Sequence, residues 1–103
     1  MDLAEAVYSL VEELPTKEKY GLASQMTRSA VSVPANIAEG YARSTRRDYA
    51  NFLAIAKGSL METETYLLLS VRLKFVAEEA VSALLDLITE ISKMLTALRN
   101  RLL

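Results

Sequence analysis

The chain has 103 residues, 12 Lys and Arg against 13 Asp and Glu, and no Cys, His or Trp. That length holds one domain, residues 1–103, and leaves no room for a second. Without Cys there are no disulfides, thiolate ligands or thiol nucleophiles. Without His the usual general base, zinc ligand and near-neutral pH switch are gone.

Apolar spacing is helical almost from end to end. The first segment puts Leu3, Val7, Leu10, Val11 and Leu14 on one face, with Asp2 and Glu5 suited to a positive helix N-terminus. It is acidic and amphipathic, unlike a secretory signal, and no uncharged apolar run of about 18 residues occurs anywhere. A cytoplasmic protein without a membrane span is expected. Pro15 should end helix 1, and Thr16 should cap helix 2, with Glu18 in its first turn.

Helix 2 is predicted over Lys17–Ala42, with a stripe of Leu22, Met26, Ala30, Val33, Ile37 and Tyr41. The stripe keeps its phase across Pro34, so one Pro-kinked helix is predicted there in place of two. Gly40 lowers helix preference and suits the C-terminal exit. Ser44 or Thr45 should cap helix 3, with Asp48 in its first turn. Helix 3 should run to about Val71 on Phe52, Leu53, Ala56, Leu60, Thr63 and Leu67. Ala54, Gly58 and Ser59 are small enough to let another backbone come close. Tyr66-Leu67-Leu68-Leu69 is apolar all round and should be covered on more than one side. After a turn at Arg72–Val76, helix 4 should reach Leu102 on Val81, Leu84, Leu85, Ile88, Ile91, Leu95, Leu98 and Leu102.

Short connections between such helices predict an all-α fold, an antiparallel up-down four-helix bundle. Helices 2 to 4 should be about 26 residues each, near 39 Å, but helix 1 only about 13, near 20 Å. Part of the groove beside helix 1 should therefore lack a lid. Either a neighbouring subunit covers it, or part of helix 1 lies upstream of this sequence. Hydrophobic residues make up 51% of the chain and mean hydropathy is +0.16. That excess points to contacts between copies in a homo-oligomer, since exposed apolar patches mark contact surfaces.

The residues Tyr20-Gly21-Leu22-x-Ser24-Gln25-x-x-Arg28 lead into Ser32-Val33-Pro34-Ala35-Asn36-Ile37-Ala38-Glu39-Gly40-Tyr41. Phe52-Leu53-x-Ile55-Ala56-Lys57-Gly58-Ser59-Leu60 and Glu62-Thr63-Glu64-Thr65 follow. Over nearly the whole chain this pattern resembles the four-helix-bundle family of 23S rRNA-intervening sequence proteins. The accessory variability determinant protein of diversity-generating retroelements is similar in fold. The resemblance implies a bundle that assembles into a ring of five, with no known enzyme activity. It also implies a nucleic-acid role, inferred from where such genes lie. Family members commonly begin some ten residues earlier. Ala23 and Val33 stand where Thr and Ile are frequent, and Leu73-Lys74-Phe75 replaces a more usual Leu-Gly-aromatic turn.

The net charge of −1 hides an asymmetry. Residues 1–14 hold four acids and no base, residues 15–57 seven bases and three acids, and residues 58–103 five bases and six acids. The basic middle could meet an anionic partner or pair with acids of its own bundle. Its best candidates for nucleic-acid contact are Arg43, Arg46 and Arg47 at the helix 2–helix 3 turn, where long cations reach phosphate. Five copies on a ring would add avidity. RNA or DNA and further copies of the chain are the expected partners; an adaptor that receives another protein is the alternative.

Asn36 and Glu39, one turn apart, could be a carboxylate with a polar partner. A structural network around the carbonyl freed by Pro34, shared with Ser32 and Ser29, is the simpler expectation. Arg28, Lys57 and Glu62 are expected in structural ion pairs, Lys57 with Glu39 or Glu62. Glu62 and Glu64 are two apart on a helix and do not converge, and carboxylate di-iron bundles require Glu-x-x-His. No catalytic, metal or cofactor site is expected. The five Tyr should mostly be core or interface anchors.

Overall fold

The structure, a computed structural model, describes residues 2–103. Its four helices are α1 (Asp2–Val11), α2 (Leu22–Tyr41), α3 (Arg46–Arg72) and α4 (Glu78–Leu102), with a 3-10 turn at Thr16–Glu18 between the first two. Each helix packs on its sequence neighbours and α1 closes onto α4, while among the described residues the backbones of the diagonal pairs stay apart. The result is a square bundle of 43 × 24 × 18 Å. Ser29 pairs with Thr63 and Ser32 with Ser59, so α2 and α3 run antiparallel. Lys57 meets Thr96 and Arg99 meets the Ala50 carbonyl, so α3 and α4 do too.

The core is the predicted stripes seen end on. Val7, Met26, Ala30, Leu53, Ala56, Leu60, Leu67, Val81 and Ile88 are almost fully buried. α2 is helical straight through Pro34. α3 starts as expected: the Thr45 hydroxyl accepts from the Asp48 N–H at 3.1 Å, satisfying a donor that the first turn leaves unpaired.

Three expectations give way. α2 does not begin at Lys17, and Thr16 caps no α-helix. Instead Glu18, Lys19 and Gly21 donate to carbonyls three residues back, a 3-10 pattern, and α2 starts at Leu22 after Gly21. Lys17–Tyr20 offers no apolar side chain to the core, so nothing there repays a longer α-helix. Second, the end of α3 is not wrapped on all sides. Leu67 is buried, but Leu68 and Leu69 stand 46% and 41% exposed. Third, Tyr41 leaves the α2 stripe: it is exposed, as are Tyr8 and Tyr20, and its ring meets Tyr49 edge-on at 6.0 Å.

The α3–α4 turn keeps a glycine-like shape without the glycine. Lys74 has φ 63, in the left-handed region. Phe75 N–H donates to the Ser70 carbonyl at 3.0 Å and Lys74 N–H to the Val71 carbonyl at 2.9 Å, the paired bonds of a Schellman ending. A side chain in this conformation is strained, because its Cβ crowds the carbonyl. Lys74→Gly is therefore expected to stabilise the bundle by about 0.5–1 kcal/mol, after allowing for the freer unfolded chain. A urea melt checks this; an unchanged or lower midpoint would count against it.

Candidate functional site

Two surfaces and one interior seam collect the polar residues that the sequence marks out. The seam lies between α2 and α3. Ser29 Oγ donates to the Met26 carbonyl and shares a 2.8 Å hydrogen bond with Thr63 Oγ1, which donates in turn to the Ser59 carbonyl. One turn on, Ser59 Oγ donates to Ser32 Oγ at 2.9 Å, and Asn36 Nδ2 donates to both Ser32 Oγ and the Ser32 carbonyl. No buried side-chain polar atom among the described residues lacks a partner. Asn36 thus belongs to a structural network, though its bonds go to Ser32 and not to the Ala30 carbonyl freed by Pro34.

Glu39 lies apart from that network, and Arg28, Lys57 and Glu62 form none of the expected ion pairs among the described residues. Glu39 is exposed and pairs with Arg43 at 2.7 Å, the one ion pair among the described residues. Lys57 reaches neither Glu39 nor Glu62; its Nζ donates to Thr96 Oγ1 across α3 and α4 at 2.8 Å. Arg28 and Glu62 are exposed, with no hydrogen-bond or ion-pair partner among the described residues. Long charged side chains on an outward face gain little from pairing, and water solvates them well. Thr63 is buried as its place on the helix 3 stripe predicts, and its part in the hydroxyl seam is what sequence reasoning missed. A hydroxyl at a core position facing a serine pair on α2 was the available signal.

The first surface is the α2–α3 turn. Arg43 is held twice: by Glu39, and over the Phe52 ring at 4.8 Å. Arg46 and Arg47 are the first two residues of α3, exposed, and without a carboxylate partner among the described residues. Cations here oppose the positive end of the helix dipole, so they do not serve α3 itself. An anion at this place would meet two guanidinium groups and a helix N-terminus together.

The second surface is an apolar groove of about 760 Å³. Val33, Ile37, Tyr41 and Tyr49 form one side, Leu87, Ile91, Met94 and Leu98 the other, and the start of α1 closes one end. It exists because α1 covers only part of the length of α2 and α4. Met94 stands 69% exposed on its wall. Tyr41 and Tyr49 also flank the basic turn, so groove and cations share one end of the bundle.

Among the described residues, no three acidic side chains gather where a metal ion would sit, and no helix is long and apolar enough to cross a membrane.

Comparison with known proteins gives two findings. The chain is similar to a crystallised protein of unknown function from the S23 ribosomal protein family of Bacteroides thetaiotaomicron. The two share 30% sequence identity and superpose with a TM-score of 0.87, covering 95% of this chain and 92% of that one. The search of curated proteins gives no match. A model of the 23S rRNA-intervening sequence protein family matches residues 1–97, nearly the whole bundle. The chain belongs to the 23S rRNA-intervening sequence protein family.

Proposed function

We propose that this chain is a non-enzymatic subunit that assembles with copies of itself into a ring, five-membered as the family resemblance implies, and grips nucleic acid by its phosphates. The observation that carries the binding half is the Arg46–Arg47 pair at the positive end of α3, which has no carboxylate partner among the described residues. The open apolar groove beside it supports assembly. Contacts of this kind are read through the phosphate backbone, so affinity should be sequence-tolerant and steeply salt-dependent. On a ring, each weak contact is multiplied by the copies beside it.

An anisotropy titration with 23S rRNA fragments and duplex DNA tests this. Binding is expected at about 50 mM salt and should weaken sharply as salt rises. Arg46→Ala and Arg47→Ala should each lower the logarithmic salt slope by about one. No binding at low salt, or binding indifferent to both substitutions, defeats the nucleic-acid reading. Light scattering should give a multiple of 11.4 kDa; a monomer mass defeats the ring. The groove also favours a second reading, an adaptor for another protein. A stoichiometric protein partner without nucleic acid, recovered from the source cell, would select it.

A further inference from the structure

A smaller hollow lies on another face, between α3 and α4. Its volume is about 310 Å³, at the lower end of the range of about 300–1,000 Å³ typical of small-ligand sites. Leu53, Met61 and Leu95 form an apolar floor. Lys57, Thr96, Arg99 and Asn100 supply its polar side. Thr96, Arg99 and Asn100 fall at i, i+3 and i+4 on α4, so they share a helix face turned towards Lys57 on α3. No carboxylate lines the hollow, and neither cation has an ion-pair partner among the described residues.

Both cations are partly buried and held in place. Lys57 Nζ donates one of its three hydrogens to Thr96 Oγ1. Arg99 Nε donates to the Ala50 carbonyl at 3.3 Å, which steadies the guanidinium and leaves its two terminal nitrogens unassigned. Two like charges drawn into one apolar-floored recess repel each other, and a bound anion relieves that repulsion. The mouth is open because Ala54 and Gly58 are small; a Cβ built on Gly58 meets nothing within 4 Å.

We propose that this hollow is a binding site for a phosphoryl group, received by Lys57 Nζ and the Arg99 guanidinium and flanked by Thr96 and Asn100. It does not depend on the turn arginines, which lie between α2 and α3 and at the start of α3. The phosphoryl group has two sources, free phosphate or a phosphodiester of nucleic acid, and the probes separate them.

Amide and arginine side-chain NMR shifts of the full chain are followed during titration with inorganic phosphate, and separately with the dinucleoside monophosphate ApA, in chloride buffer. Saturable shifts centred on Gly58, Thr96 and Arg99 are expected with at least one probe. Saturation by phosphate alone assigns a free or terminal phosphate; saturation by ApA assigns a phosphodiester. Lys57→Met, which keeps the aliphatic packing, and Arg99→Gln should each weaken binding about tenfold or more. Gly58→Leu should block the mouth in a bundle whose helicity and melting are retained. Absence of saturation with both probes, equal shifts from chloride, or undiminished affinity in both charge variants overturns the site.

Discussion

Gly40→Ala is expected to lower the unfolding free energy by about 1–3 kcal/mol, whereas Gly58→Ala is expected to raise it by about 0.5–1 kcal/mol. Both glycines are helical and neither has a positive φ, so the intrinsic gain in helix preference is the same at each. Their surroundings decide the sign. A Cβ on Gly40 would sit 2.7 Å from Phe52 Cβ, 3.0 Å from Tyr49 Cδ1 and 3.3 Å from the Tyr49 carbonyl oxygen. Phe52 Cβ and the carbonyl belong to the rigid part of α3, so relief requires α2 and α3 to move apart where their turn ties them together. On Gly58 the added methyl meets open space. In a domain of this size each kcal/mol moves the melting temperature by about 4–8 °C, so the two variants should melt on opposite sides of the parent. A neutral Gly40→Ala would mean that the helices do not touch there. A loss at Gly58 would mean that a second molecule already occupies its open side.

The second large effect contrasts two isoleucines one turn apart on α4. Ile88 is fully buried, and Ile88→Ala should cost about 2–5 kcal/mol through lost burial and the cavity left behind. Ile91 lines the open groove and is only partly buried, so Ile91→Ala should cost less in the isolated subunit. Urea melts at low and high protein concentration extend the comparison. If copies seat on the groove, the parent gains stability with concentration and Ile91→Ala loses that gain, because binding to the folded state adds stability by mass action. Equal costs at every concentration would leave the groove unoccupied by copies. A cost at Ile88 below about 1 kcal/mol would contradict the packing described for the core.

Much of the fold is legible along the chain because helical periodicity is a local property. The stripes on helices 3 and 4 and the Thr45–Asp48 cap need only neighbours within a turn or two, and they match the structure closely. The departures come where a residue's fate depends on something distant. Thr16 looks like a cap, but whether an α-helix follows depends on the core, which begins to reward it only at Leu22. Gly40 looks like a helix stop; its use is the closeness of Phe52 and Tyr49. Lys74 occupies a conformation that its own chemistry disfavours, imposed by the α3 ending. Polar partners are the least legible. Lys57 has carboxylates at plausible spacings along the sequence, yet the interhelical register delivers it to Thr96, and no periodicity encodes that register. The arginines of the turn are visible as a cluster, but that Glu39 and Phe52 hold Arg43 while Arg46 and Arg47 have no ion-pair partner among the described residues is a fact of three dimensions.

The shortness of α1 bears on how the bundle opens. Ten residues are fewer than the roughly 12–15 that an isolated helix needs to persist in water, so α1 is ordered by Leu3, Val7 and Leu10 seated on α2 and α4. The α2–α3 hairpin is closed by a short turn and laced by interior hydroxyls, so its core amides are expected to exchange with solvent more slowly than those of any other part of the bundle. Those of α1 are expected to exchange through a cheaper, partial opening. Each such excursion uncovers the faces of α2 and α4 on which α1 sits and so lengthens the existing groove. The element with the fewest packing partners and the open apolar groove are therefore two aspects of one short helix.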